Sequence, residues 1–158
     1  METQAATGHL RAEGITFVAA LPVEMREAVE NLFFFNERQS VVRQGIREVV
    51  QRAGAPIIVA RDRELWVTVP SMETQCLFAC DSWRVPVRVL GVVLYARPTP
   101  EVLDVTHLAV DPEYAFGGAS GGAGLGFLLV EKVREIGRRI NGVRRIRLPY
   151  RRDCLLPV

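Results

Sequence analysis

Apolar positions recur along the chain with two different periods. A short β-prone run at 15–20 is followed by Pro22, at a point where a helix would begin and a missing N–H is no loss. Val23, Met25, Ala28, Val29, Leu32 and Phe33 then recur at the spacing of one helix face. The pattern predicts a second helix from Ser40, a good N-cap, through Val42, Ile46, Val49 and Val50 to a stop at Gly54. From Pro56 the period shortens, and strands are predicted at 56–60, 65–69, 75–80, 87–96 and 102–110. Polar or proline-containing turns at 61–63, 70–73 and 97–100 separate them, so neighbours run antiparallel in a meander. After residues 111–126, Leu125, Leu128, Leu129, Val133, Ile136 and Ile140 mark an amphipathic helix ending at Asn141-Gly142. Residues 143–148 read as one further strand, stopped by Pro149.

This order predicts an α+β fold, a mixed, mostly antiparallel sheet flanked by helices, in one domain over 1–158 with a loose arm at 1–13. With 158 residues, 49% of them hydrophobic and 24% charged, the chain can bury a sizeable core. Its longest apolar run, near 89–96, is far short of a membrane span, and the start lacks an apolar leader. The expectation is a cytoplasmic protein with no membrane partner. Cys76, Cys80 and Cys154 are an odd number, and Cys76 and Cys80 read as small buried hydrophobes rather than disulfide or metal ligands.

The formal charge of +2 names no partner, but its distribution is uneven. From Val133 onward eight arginines face Glu135 and Asp153, a net of +6. Such a run reads as a solvated helix face and strand edge, with a cofactor phosphate or an acidic acceptor as the functional alternative. Nucleic acid is the weakest candidate partner, because Tyr150 alone interleaves an aromatic.

Six glycines fall between Gly117 and Gly126, just before the last helix. A helix begins with orphan N–H groups and a positive dipole end, and a loop without side chains lets an anion approach them. Three or four such amides, each contributing roughly 1.5–3 kcal/mol to a charged oxygen, hold a diphosphate. A flexible linker is the alternative. Neither common phosphate-loop pattern is met: no Gly-Lys-Ser/Thr ending is present, and Phe127 occupies the final glycine position of the dinucleotide fingerprint.

Three pieces stand in order: a glycine-containing strand at 89–95, a strand at 103–110 continuing into Asp111-Pro112-Glu113-Tyr114, and Gly124-Leu125-Gly126 opening a helix. Together they resemble the core of the GNAT superfamily of N-acetyltransferases, over about residues 87–148. Gly121 stands where that family usually has Arg or Gln, and about six extra residues lengthen the loop. The family's further helix and two strands have no counterpart in the ten residues after Leu148, so the acceptor side would be rebuilt from N-terminal strands or a second copy, a homodimer.

The resemblance implies an acyl-CoA-dependent N-acyltransferase, with acetyl-CoA as cofactor and a small-molecule or peptide amine as acceptor. A catalytically silent acyl-CoA-binding or interaction module is the alternative. It implies main-chain contacts to the cofactor from Leu108, Ala109 and Val110, and amides from Gly121, Gly122, Ala123, Gly124, Leu125 and Gly126. A backbone N–H near Val110 would polarise the thioester carbonyl. Asp104 stands where histone-type members place a catalytic base, and His107 is a second candidate base or relay. Strand alternation sets Asp104, Thr106, Leu108 and Val110 on one face and His107 on the other. Tyr150, or Tyr114, would replace the tyrosine that protonates the leaving thiolate.

Overall fold

The computed structural model describes residues 14–34, 47, 50–115, 124–148 and 155–158. The chain runs β1 (Ile15–Val18), β2 (Leu21–Pro22), α1 (Arg26–Phe34), β3 (Ile57–Arg61), β4 (Glu64–Thr68), β5 (Gln75–Asp81), β6 (Arg88–Thr99), β7 (Val102–Val110), α2 (Leu125–Arg139), β8 (Arg145–Arg147) and β9 (Leu155–Pro157). Six strands form the main sheet in the order β1-β5-β6-β7-β8-β9, and β2-β4-β3 form a smaller one. Every strand pair is antiparallel except β7 with β8. The architecture is mixed α+β with a mostly antiparallel sheet, as the order of elements predicts.

The meander is interrupted at 70–73. Both edges of β4 are occupied, by β2 and β3, so β5 has no edge to join there and lies between β1 and β6 in the main sheet instead. Thr74 Oγ1 accepts from the Val69 N–H and lies 3.0 Å from Thr68 Oγ1, which turns the chain away from β4. Pro22 stands where a helical segment begins, as expected: it pairs with Glu64 in β2 and is the N-cap of a 3-10 turn at Val23–Met25 that leads into α1. Of the second predicted helix, residues 47 and 50–53 are helical and the remainder lies outside the described residues. It ends where expected, with the Gly54 N–H donating to Val50 O at 2.8 Å and a φ of +88° that favours glycine. The C-terminal edge strand β9, paired with β8, was not foreseen.

Two hydrophobic clusters sandwich the main sheet. One joins Val29 and Leu32 of α1 and Leu65 and Val67 of β4 to Phe78, Val92 and Leu94. The other seats Leu125, Leu129 and Val133 of α2 on Leu90, Val93 and Val105. Each such side chain contributes roughly 1.5–3 kcal/mol on burial. The buried face of α2 recurs every three to four residues, which is why the helix was legible. It lies close to the sheet at Gly91, where an added Cβ would stand 3.0 Å from Leu129 Cδ1 and 3.2 Å from Ala109 O. Parallel strands need a crossover, and α2 supplies it between β7 and β8.

Candidate functional site

β7 ends in a fixed corner. The Asp111 N–H donates to Leu90 O at 2.8 Å, while the Asp111 carboxylate accepts the Glu113 N–H at 2.9 Å and caps the 3-10 turn Pro112–Tyr114. Arg88 Nη2 binds Asp111 Oδ2 at 2.7 Å and Glu113 Oε2 at 3.2 Å, and its guanidinium lies 5.5 Å from the Tyr114 ring centroid. Tyr114 is thereby packed under a cation at the corner.

The chain re-emerges at Gly124, the residue before α2, with φ 92° and no side-chain cap. Leu125 is fully buried beside Gly91, and Gly126 lies over the side chains of Leu108 and Val110. The first turn of α2 therefore sits on the last residues of β7, joining Gly124, Leu125 and Gly126 to Leu108 and Val110. The Ala109 methyl belongs to the cluster on the opposite face. Gly121, Gly122, Ala123 and Tyr150 lie outside the described residues.

On the other side, β7 pairs with β8 at three positions: Val102 with Arg145, Leu103 with Ile146 and Asp104 with Arg147. β8 ends at Arg147, whereas β7 continues to Val110. Among the described residues, Asp104 and Arg147 thus stand at the crotch of a fork, the last pair before β7 runs on alone toward the end at which α2 begins.

Asp104 is 6% exposed and His107 4%. Simple alternation would separate them, but the register against β6 shifts: Leu94 faces His107 while the next residue, Tyr95, faces Val105. Thr106 is the extra residue of this bulge, and its hydroxyl donates to Leu94 O at 3.3 Å. The expected division of faces is therefore corrected. Asp104, His107 and Ala109 share the face opposite α2, and Leu103, Val105, Leu108 and Val110 pack with the α2 cluster.

Two arginines approach Asp104 from different elements. Arg52 Nη2, from the helical turn ending at Ala53, is 3.6 Å from Oδ1, and Arg147 Nη1 is 3.6 Å from Oδ2. Asp104 Oδ1 and both His107 ring nitrogens are buried with no hydrogen-bond partner among the described residues. Burial pushes the Asp104 carboxyl up from its ordinary range, against the opposing pull of Arg52 and then Arg147. Burial, helped by the Arg52 charge, pushes the His107 imidazole down to about 4. The Gly54 backbone beside the ring pulls the other way, without a hydrogen bond of normal geometry. At neutral pH His107 is an uncharged, weakly basic ring.

Arg52 carries no local signal in the sequence, and Arg147 stood out only as one of a basic run. Cys76 and Cys80 are buried, their thiols pushed up to about 12 and about 11, which makes them packing residues rather than nucleophiles. A pocket of about 410 Å³, lined among others by Tyr95, Leu103 and Ile140, lies toward the other end of α2, and its described lining includes none of Arg52, Asp104, His107 or Arg147. Among the described residues no helix is long and apolar enough to cross a membrane, and no three His, Cys, Asp or Glu side chains gather to hold a metal ion. No family model matches the chain, and no curated protein matches it.

Proposed function

We propose that the chain is an acyl-CoA-dependent N-acyltransferase of the GNAT kind, transferring an acetyl group to an amine. The observation that carries this reading is the fork: among the described residues two parallel strands share three paired positions, and the crossover helix starts at the end of β7 beyond them. In this reading the thin arm of an acyl-CoA lies along the end of β7 beyond those pairs, and its diphosphate lies at the start of α2. Gly124, at φ 92°, and Gly126 bring no side chain of their own to that backbone.

The acceptor enters at the crotch. A free amine has a pKa near ~10.4 and is almost wholly protonated at pH 7, so it must lose a proton to attack. Asp104, whose carboxyl is raised by burial, takes that proton. The amine nitrogen bonds to the thioester carbon, the carbon–sulfur bond breaks, and the thiolate leaves to be protonated.

The test has two stages. Acetyl-CoA at a hundredfold excess over its Kd stabilises the fold by about 2.7 kcal/mol in a thermal-shift assay. Thiol release from acetyl-CoA then requires an added amine. Binding without amine-dependent thiol release turns the reading into the silent acyl-CoA-binding module, and no binding at all ends both.

A further inference from the structure

The Asp104 cluster has a composition that neither the fold nor a general base requires. Arg52 and Arg147 come from elements distant in the chain and converge on one carboxylate from two sides, each at 3.6 Å. At that separation they attract Asp104 without a hydrogen bond, and neither guanidinium donates a hydrogen bond among the described residues. Their side chains remain 46% and 39% exposed, so their donors reach solvent. Asp104 Oδ1 and the two His107 nitrogens are buried and unpartnered among the described residues. Buried polar atoms without partners cost about 1–3 kcal/mol each and are rare in native proteins. Three of them on one face of β7, with Arg52 acting on both residues, mark a place where a ligand supplies the missing bonds.

The charges define that ligand. Among the described residues, two fixed positive groups against one carboxylate leave a net positive charge, which attracts an anion, and a guanidinium's parallel donors match a carboxylate. Asp104 Oδ1 accepts hydrogen bonds and a neutral imidazole offers one further acceptor, which suit an N–H group. A diamine would set a second positive charge against the arginines. A simple acid would leave the buried acceptors unanswered.

We propose that the Arg52–Arg147–Asp104–His107 cluster is the seat of an acceptor carrying both an amine and a carboxylate, a compact molecule of the amino-acid type. The arginines hold its carboxylate and Asp104 faces its nitrogen. The fate of the amine rests on the acyl-transfer reading above, whereas the binding of the zwitterion does not.

Calorimetric titration of the intact chain with the free protein amino acids, the matching amines that lack the carboxylate, and the N-acetylated amino acids tests this. At least one free amino acid binds, and its decarboxylated and N-acetylated counterparts bind at least tenfold more weakly. Arg52→Gln, Arg147→Gln and Asp104→Asn each weaken that amino acid at least tenfold; Arg147→Lys, which keeps the charge and loses the fork geometry, weakens it less than Arg147→Gln. The comparison among ligands on the unaltered chain stands even where a variant does not fold. Absence of binding by every free amino acid, or equal binding of an amine without its carboxylate, overturns the proposal. Acetyl-CoA in the same calorimeter separates the two claims. If it binds and no amino acid does, the acceptor assignment fails and the acyl-transfer reading survives. If an amino acid binds and acetyl-CoA does not, the site stands and acyl transfer falls.

Discussion

At the scale of single residues, His107 makes a pH-dependent contribution whose sign follows from its burial. Its folded-state value of about 4 lies below the ordinary 6.5, so between those limits the unfolded chain binds a proton that the native chain refuses. Stability is full above pH 6.5 and falls as pH drops toward 4, by up to roughly 3 kcal/mol. Asp104 works in the opposite sense: its raised value means that stability declines as pH rises through it. Replacing His107→Leu removes two unpartnered nitrogens, so the variant is within about 1 kcal/mol of the parent, or more stable, at pH 7. Urea unfolding at pH 5 and pH 7.5 checks this, because the Asp104 contribution is common to both proteins and the parent loses more stability between the two conditions. For transfer itself, Asp104→Asn lowers kcat by about 10²-fold or more at pH 7 and leaves the KM for acetyl-CoA nearly unchanged. A comparable loss in KM for acetyl-CoA would instead assign Asp104 to cofactor binding.

Secondary elements reveal which parts of this molecule are written locally. Strand β7 was readable to the residue, and α2 nearly so, because each places a continuous apolar stripe against one partner. The partners themselves were not readable. A short turn at 70–73 has the same composition whether it closes a hairpin or hands the chain to another sheet, and only the occupied edges of β4 decide. The bulge at Thr106 was equally hidden, since threonine is an ordinary strand residue and the register is set by β6. That one slip puts His107 on the Asp104 face, and the approach of Arg52 depends on a helix end fifty residues away in the chain. The candidate acid could be picked from sequence; its neighbours could not. At α2 the glycines divide into three cases, each testable by thermal denaturation. Gly91→Ala sets a Cβ 3.0 Å from Leu129 Cδ1 and 3.2 Å from a backbone oxygen, and destabilises by about 1–3 kcal/mol. Gly124→Ala forces a side chain onto φ 92° and loses about 1–3 kcal/mol. Gly126→Ala meets only ordinary contacts, at 3.5 and 3.8 Å, inside a helix, and gains up to about 1 kcal/mol.

At the scale of the whole molecule, the question is whether the small sheet and the main sheet fold together. Leu21 of β2 and Leu65 and Val67 of β4 belong to one buried cluster with Phe78, Val92 and Leu94 of the main sheet. The small sheet therefore has no apolar face of its own to keep if the main sheet opens, and three short strands without a covered face are not stable in water. The two tryptophans provide a direct probe. Trp66 of β4 packs against the shared cluster, while Trp83, at the tip of the β5–β6 hairpin, is 80% exposed. In a Trp83→Phe variant, fluorescence reports Trp66 alone and far-ultraviolet circular dichroism reports the whole chain. The two urea transitions coincide, with one midpoint and one slope. Truncating Phe78→Ala, fully buried on the interior strand β5, costs about 3–5 kcal/mol and moves both transitions by the same amount. A Trp66 transition that precedes the dichroism change, or that stays in place when Phe78 is truncated, would mean that the small sheet detaches on its own, and that the helical turn bearing Arg52 could leave the fork without unfolding it.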